Sequence, residues 1–212
     1  MTLRVHEIFH SLQGESSRVG LPTVFVRLTG CPMRCVYCDT AYAFHGGKSL
    51  SMDDILARVA EYGARYVTVT GGEPLAQKEC LTLLHELCDA GYSVSLETGG
   101  AIAIGNVDPR VSIILDIKTP DSGEMEKNCW SNLEHLKPTD EVKFVLCGRE
   151  DYDWARQLLD DHKLHAKCTV LFSPVYGRLD PTKLGEWVLQ DRLPVRMQVQ
   201  LHKILWGETP GK

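Results

Sequence analysis

The sequence predicts an α/β fold built on a parallel sheet, and three observations support this. Strand-like runs recur along the chain, helical patterns separate several of them, and polar and apolar residues alternate within most of the runs. Strands that alternate with helices form βαβ units, whose strands are parallel. The units are too few for a complete eightfold barrel. The runs span residues 23–29, 65–70, 92–97, 111–117, 141–147, 168–172 and 195–201.

Three segments between these runs have helical periodicity, namely residues 51–62, 77–90 and 151–162. Ser51 and Asp54 have the spacing of a capping box at the start of the first helix. Gly63 and Gly91 follow the first two patterns, at positions where glycine commonly ends a helix.

The strands present one apolar and one polar face, because residues two apart along a strand point to the same side. The apolar face comprises Val24, Val26, Leu28, Val67, Val69, Val94, Leu96, Ile113, Leu115, Ile117, Val195, Met197 and Val199. The polar face comprises Arg27, Thr29, Thr68, Thr70, Ser95, Glu97, Asp116, Lys118, Gln198, Gln200 and His202. Most of these polar residues stand near strand C-termini, where parallel α/β folds bind ligands. An antiparallel sheet with one wet face would alternate in the same way, but the intervening helices favour the parallel arrangement.

The composition is that of an ordinary globular protein, with 43% hydrophobic and 24% charged residues in 212. We expect a single domain over residues 1–212. The net charge of −5 favours a small-molecule substrate over nucleic acid. Arg4, His6 and Glu7 interrupt the apolar run that a signal peptide needs, and no segment has membrane-spanning length. We therefore expect a cytoplasmic protein without a membrane partner.

Three of the eight cysteines form a CxxxCxxC motif directly after the first predicted core strand: Cys31, Cys35 and Cys38. A [4Fe-4S] electron carrier uses four cysteines, so three leave one iron open to a reactant. Zinc with His45 as fourth ligand, or a redox-active cysteine pair, are the alternatives. The spacing of all three favours the cluster. The other five, Cys80, Cys88, Cys129, Cys147 and Cys168, are scattered singly and are expected to pack as small apolar residues without disulfides.

The cysteine motif resembles that of the radical S-adenosylmethionine superfamily. In that superfamily the open iron binds the amino and carboxylate groups of S-adenosylmethionine. Residues 71–74, GGEP, follow the second predicted strand and resemble the motif that holds the cofactor's ammonium group. Tyr37 matches the position of an aromatic residue near the adenine, although it could equally be a packing residue.

Further segments narrow the resemblance to the 7-carboxy-7-deazaguanine synthase family. They are HSLQGES (10–16), CDT (38–40), TGGEP (70–74), LETGG (96–100), LDIKTP (115–120) and LHKILWG (201–207). The resemblance implies an incomplete parallel (β/α) barrel of the radical S-adenosylmethionine type. It also implies a homodimer, Mg²⁺, and an external reductant such as a flavodoxin or ferredoxin. The implied lyase reaction contracts 6-carboxy-5,6,7,8-tetrahydropterin to 7-carboxy-7-deazaguanine with loss of ammonia, for queuosine and other 7-deazapurines.

The resemblance also implies roles for individual residues. Substrate contacts are expected at Leu12, Gln13, Gly14, Glu15, Arg27, Thr70 and His202. Contacts to S-adenosylmethionine are expected at Tyr37, Asp39, Gly72, Glu73, Glu97, Asp116, Lys118 and Ser173, and an Mg²⁺ contact at Thr40. The N-terminal loop, the last strand and the tail GETPGK (207–212) are expected to close the site.

The chemistry of these residues suits a pterin carboxylate. The Arg27 guanidinium offers two parallel donors to a carboxylate, although a surface salt bridge is an equal alternative from the residue alone. Glu15 and His202 have the chemistry of a general base. Two other functions stay open at this level. A glycyl-radical activase shares the cysteine motif, and a non-enzymatic metal or iron-sulfur module would not cleave S-adenosylmethionine.

Overall fold

The computed structural model describes residues 1–207, 209 and 211, and is centred on a nine-stranded sheet. The strand order is β3-β1-β2-β4-β5-β6-β7-β8-β9. The strands are β1 (Thr2–Leu12), β2 (Pro22–Leu28), β3 (Lys48–Ser51), β4 (Tyr66–Gly71), β5 (Ser93–Thr98), β6 (Ser112–Asp116), β7 (Glu141–Leu146), β8 (Thr169–Pro174) and β9 (Arg196–Met197). The sheet does not close, since β3 and β9 form its two edges.

The parallel sheet predicted from the sequence is confirmed, and it consists of β2, β4, β5, β6, β7, β8 and β9. Two antiparallel strands, which the sequence analysis did not assign, extend one edge: β1 pairs with β2, and β3 pairs with β1. A signal for β1 is present at its start, where buried Leu3 and Val5 alternate with the more exposed Arg4 and His6. The result is the incomplete parallel barrel expected for this chain.

The three predicted helices are confirmed. The helices are α1 (Met52–Glu61), α2 (Cys80–Asp89), α3 (Arg149–Asp161), α4 (Leu164–Lys167), α5 (Pro181–Asp191) and α6 (Leu201–Trp206). Ser51 and Asp54 form the predicted capping box, each side chain bonding the other's backbone N–H. Gly63 and Gly91 follow α1 and α2 with φ of +60° and +87°, a conformation that costs glycine little.

The apolar face of the sheet packs against the helices and forms the core. Ile55 of α1, Leu83 of α2 and Leu159 of α3 are fully buried against it. The core includes the strand residues Val24, Val26, Leu28, Val67, Val69, Val94, Leu96, Ile113, Leu115 and Ile117, as the alternation predicted. The opposite, polar face is therefore free to line a cavity inside the open barrel.

The predicted strand over residues 195–201 is wrong for most of its length. Only Arg196–Met197 pairs with β8, and Leu201–Trp206 is helical. The Gln198 N–H still bonds the carbonyl of Phe172, but the Leu201 N–H bonds the carbonyl of Gly14. The chain thus leaves the sheet edge for the N-terminal loop, where helix α6 satisfies its backbone groups.

Within the residues that the structure describes, no helix combines the length and apolar character needed to cross a membrane.

Candidate active site

A cavity of about 650 Å³ opens on the polar face, at the C-terminal ends of the parallel strands. It falls in the size range of small-molecule and cofactor sites. The predicted site residues that line it are Leu12, Gln13, Gly14, Glu15, Arg27, Cys31, Cys35, Tyr37, Cys38, Asp39, Thr40, Thr70, Gly72, Glu97, Asp116, Lys118 and His202. Glu73 and Ser173 are buried outside this lining.

The three motif cysteines come from one loop that follows β2. All three are partly buried, line the cavity and carry free thiols. Burial is the main cause that raises the pKa of Cys31 and of Cys35. His45, the alternative zinc ligand, is exposed and does not line the cavity. The loop thus offers three sulfur ligands on one side of an enclosed space.

The GGEP segment packs directly against this cysteine loop. A Cβ at Gly72 would lie 2.4 Å from the Gly30 oxygen and 2.6 Å from the Cys31 Cβ, so only glycine fits. The Glu73 N–H bonds the Gly30 carbonyl at 2.8 Å. The buried Glu73 carboxylate accepts hydrogen bonds from the Thr98 hydroxyl and the Gly99 N–H. Glu73 therefore ties three loops together beneath the cavity.

The N-terminal loop supplies a polar wall. The Gln13 side-chain amide donates to Thr68 Oγ1 at 3.2 Å and to Glu97 Oε1 at 3.1 Å. The Thr70 hydroxyl donates to the second Glu97 oxygen at 3.2 Å. Burial is the largest influence on Glu97 and raises the pKa of its carboxyl. These hydrogen bonds hold the side chains of Gln13, Thr70 and Glu97 in place along the cavity wall.

Glu15 has a cationic partner that the sequence analysis did not single out. Lys143 Nζ lies 2.6 Å from Glu15 Oε2, and the Gln200 amide donates to Glu15 Oε1 at 2.6 Å. Burial by itself would raise the pKa of Glu15, but the charge and hydrogen bond of Lys143 outweigh it and lower the pKa to about 2. The signal for Lys143 was its position in β7 between Val142 and Phe144, both of which face the core.

Arg27 is oriented by one acidic residue and two aromatic rings. Its Nε donates to Glu7 Oε1 at 2.7 Å, and the Tyr42 hydroxyl donates to the same oxygen at 2.9 Å. The rings of Phe9 and Tyr42 lie 5.7 and 5.8 Å from the guanidinium carbon. Among the described residues no hydrogen bond engages the two Nη groups. The residue type alone allowed Arg27 to be a substrate ligand or a salt-bridge partner. The structure shows a salt bridge through Nε, with neither Nη group bonded to another described residue.

His202 reaches the cavity from α6 and packs on the N-terminal loop. A Cβ at Gly14 would lie 2.0 Å from His202 Nδ1, so the glycine makes room for the imidazole. Burial lowers the pKa of His202, which favours the neutral ring at pH 7. The helix thus takes the place of the expected last strand in closing the site. Gly207, Thr209 and Gly211 of the tail also line the cavity; Glu208, Pro210 and Lys212 lie outside the described residues.

Comparison with known proteins identifies the family. Residues 25–109 match the Radical SAM superfamily. The chain is similar to a 7-carboxy-7-deazaguanine synthase from Chlorobaculum tepidum, 50% identical over 97% of this chain and 94% of the relative. A second, from Koribacter versatilis, is 42% identical over 99% of this chain and 100% of the relative. The chain belongs to the 7-carboxy-7-deazaguanine synthase family. A crystal structure of QueE from Escherichia coli superposes with a TM-score of 0.79 at 25% identity, covering 95% of both chains.

Membership of this family makes the chain a radical S-adenosylmethionine lyase with a [4Fe-4S] cluster, S-adenosylmethionine and Mg²⁺ as cofactors. The cavity fits these groups. Three cysteines without a fourth in the loop suit a cluster with an open iron. The Tyr37 hydroxyl is buried at the cavity wall without a partner among the described residues, and burial raises its pKa. Such a tyrosine presents both a ring and a free polar atom to a bound nucleoside.

The remaining predicted cofactor residues lie around the cysteine loop. Lys118 Nζ is 3.0 Å from Asp116 Oδ1, and both residues line the cavity. The Thr40 hydroxyl lies 3.8 Å from Cys38 Sγ and suits one oxygen ligand of a hydrated Mg²⁺ ion. Asp39 is partly exposed and pairs with Lys203 of α6 at 3.3 Å. These residues line the same cavity as the three cysteines, and Asp116 also pairs with Lys143 at 3.3 Å.

Proposed function

We propose that this chain converts 6-carboxy-5,6,7,8-tetrahydropterin to 7-carboxy-7-deazaguanine with release of ammonia, for queuosine and other 7-deazapurines. One observation carries the proposal. The polar wall formed by Gln13, Glu15 and Glu97 opens onto the same cavity as the three cysteines. A site that must bring a hydrogen-bonding heterocycle next to a radical source needs this juxtaposition.

The substrate is bound by complementary polar groups. The free Nη pair of Arg27 holds the carboxylate, because a planar guanidinium matches two carboxylate oxygens. The ionised Glu15 accepts N–H groups of the pterin, and Gln13 and Thr70, both held by hydrogen bonds to Glu97, line the same wall. Neutral His202 and the backbone of Leu12 and Gly14 complete the enclosure.

The cofactors bind in the same cavity, beside the substrate. When bound and reduced, the cluster and S-adenosylmethionine supply the carbon radical that removes a hydrogen atom from the substrate. Cys31, Cys35 and Cys38 hold the cluster. S-adenosylmethionine is positioned by residues that line the cavity: Tyr37, Asp39, Gly72, Glu97, Asp116 and Lys118. Glu73 and Ser173, which are buried outside the lining, also help to position it. Thr40 binds Mg²⁺. A Mg²⁺ ion held at Thr40 would help orient the substrate carboxylate.

Two partners belong to the proposal. A second copy of the chain forms a homodimer, and a flavodoxin or ferredoxin supplies the electron. The expected cytoplasmic location stays a prediction, as does the single-domain organisation over residues 1–212.

The test is a turnover assay with reconstituted enzyme, reductant, S-adenosylmethionine, Mg²⁺ and carboxytetrahydropterin. We expect carboxydeazaguanine and ammonia in equal amounts. Cys35→Ala is expected to lose the cluster absorbance and the product, whereas Cys129→Ala, outside the cavity, keeps both. A wild-type enzyme with an intact cluster that forms no product would contradict the proposal.

The same assay separates the alternative functions. A glycyl-radical activase would cleave S-adenosylmethionine but leave the pterin unchanged, and an electron-transfer module would cleave neither. The relatives named 7-carboxy-7-deazaguanine synthase, over nearly the full chain, favour neither alternative.

A further inference from the structure

Lys143 stands on the inner wall of the barrel with its charge out of bulk water. It belongs to β7, and its side chain is only 11% exposed. The neighbours Val142 and Phe144 point into the core on the other side of the sheet, so the lysine side chain is directed into the cavity. A lysine is seldom buried unless its ammonium is paired.

The ammonium is shared between two carboxylates from different parts of the site. Nζ lies 2.6 Å from Glu15 Oε2 in the N-terminal loop and 3.3 Å from Asp116 Oδ2 at the end of β6. Burial by itself would lower the pKa of Lys143, but the charges of Glu15, Asp116 and Glu97 outweigh it and raise the pKa well above its usual value. The lysine therefore stays charged at neutral pH and acts as a fixed cation.

Glu15 depends on this cation. A carboxylate enclosed in this way protonates unless an opposite charge lies beside it. Among the described residues the other titratable groups that act on Glu15 are Glu97 on β5, whose charge opposes ionisation, and His202 on α6, which favours it less than Lys143 does. Gln200 contributes one further hydrogen bond. Lys143 is thus the main group that keeps Glu15 an acceptor.

We propose that Lys143 is a positioning residue that holds Glu15 ionised and aimed at the N–H edge of the substrate. The inference rests on the proposed function, because Glu15 is taken to face the pterin. A protonated Glu15 would present a donor to the donors of the ring, which is a mismatch. Lys143 acts through Glu15 and needs no contact with the substrate.

The test measures substrate affinity without reductant, so that no turnover occurs, in the holoenzyme between pH 6 and pH 9. Lys143→Met removes the charge at similar length, and Lys143→Arg keeps it. Glu15→Gln and the double variant Glu15→Gln/Lys143→Met complete a thermodynamic cycle. Lys183→Met, on exposed α5, controls for the loss of a lysine. Circular dichroism and iron content establish that each variant is folded and loaded.

We expect Lys143→Met to weaken binding about 30-fold at pH 6.5, which corresponds to roughly 2 kcal/mol. The deficit should shrink toward pH 9, because Glu15 then ionises without its partner. Lys143→Arg should stay within about 5-fold of wild type, since it retains the charge. In the Glu15→Gln background Lys143→Met should change substrate affinity only slightly. This comparison stays valid even if the Lys143→Met single variant folds poorly, because the double variant leaves neither residue of the pair charged.

Two results would overturn the inference. One is a Lys143→Met deficit that is the same at every pH and undiminished in the Glu15→Gln background, which would mean a purely structural role. The other is unchanged affinity in a folded, loaded Lys143→Met enzyme. Failure of the proposed function looks different, because the wild-type holoenzyme itself would neither bind nor convert carboxytetrahydropterin, and that result would remove both proposals.

Discussion

Arg27 shows how neighbours determine what a single side chain can do. Glu7 occupies Nε, and Phe9 and Tyr42 flank the guanidinium, so that the fork has one orientation. Guanidinium pairing with a carboxylate is strongest when the fork is oriented beforehand, because less rotamer entropy is lost on binding. Glu7 and Tyr42 are therefore part of the site, although neither is needed to contact the substrate.

Replacing Glu7 should impair substrate binding through Arg27. We expect Glu7→Ala to raise KM about tenfold, the loss typical of a charge-assisted hydrogen bond, with a smaller change in kcat. Glu7→Gln should recover part of the loss, since its amide oxygen can still accept from Nε. Steady-state kinetics would measure both. Tyr42→Phe is the matched control and removes only the second hydrogen bond to Glu7; an unchanged KM in Glu7→Ala would refute the role.

Gly14 gives a second prediction at this scale. An added methyl group would collide with the His202 ring at 2.0 Å, so Gly14→Ala should displace the imidazole from the cavity. We expect a loss of unfolding free energy of about 1–3 kcal/mol and a raised KM. Thermal unfolding and kinetics measure these effects. Gly185→Ala in α5 meets open space, and should be neutral or slightly stabilising. Equal behaviour of the two variants would show that His202 moves aside without consequence.

Among the secondary structure elements, the N-terminal loop and β7 form one unit. The Ser17 N–H bonds the Glu141 carboxylate at 3.0 Å. Lys143, two residues further along β7, pairs with Glu15. Two of the loop's partners therefore come from the inward-facing residues of β7, and others, Thr68 and Glu97, come from β4 and β5. The loop contains no helix or strand, and these side chains add to the hydrogen bonds that its own backbone makes, such as Gly20 N–H to the Gln13 carbonyl.

The Glu15–Lys143 pair predicts a pH-dependent stability. The pKa of Glu15 in the folded protein is about 2, below its ordinary value of 4.5. Its stabilising contribution is therefore complete above about pH 4.5 and is lost as the pH falls toward 2, with a size of the order of 3 kcal/mol. The difference in unfolding free energy between wild type and Glu15→Gln should shrink over this range. Denaturant titrations at several pH values measure it, and a constant difference would contradict the assignment.

Across the whole molecule the two faces of the sheet separate stability from chemistry. The apolar core and helices such as α1, α2 and α3 lie on one side, while the cysteine loop, helix α6 and the cavity lie on the other. Buried apolar surface is the main source of folding free energy. Loss of the cluster should therefore leave the fold in place.

Removal of the cluster by an iron chelator tests this separation. We expect the far-ultraviolet circular dichroism to be unchanged and the melting temperature to fall by only a few degrees, because the loop carries none of the helices of the core. The Cys35→Ala variant should behave like the chelated protein. Global unfolding on chelation would mean that the cluster stabilises the fold, as structural zinc does in small domains.

Much of the fold could be predicted because local patterns encode it. The alternation in β2, β4, β5 and β6 separated core from cavity residues correctly, and the capping box of α1 was confirmed. Strands β1 and β3 were missed, because only the start of β1 alternates between exposed and buried residues and the four residues of β3 bury no side chain fully. Residues 195–201 were assigned to a strand because their apolar and polar residues alternate, whereas only Arg196–Met197 pair with β8 and Leu201, bonded to the remote Gly14 carbonyl, begins a helix.

The cysteine spacing, the short loop motifs and their order along the chain identified the family and most of the residues around the cavity, since such motifs are local and their chemistry is carried by residue type. The partners of those residues depended on tertiary structure. Lys143 lies 128 positions from Glu15, and Glu7 lies 20 positions from Arg27. Ionisation and orientation are decided by charges and hydrogen bonds across space, and only the folded barrel brings these groups within a few ångströms.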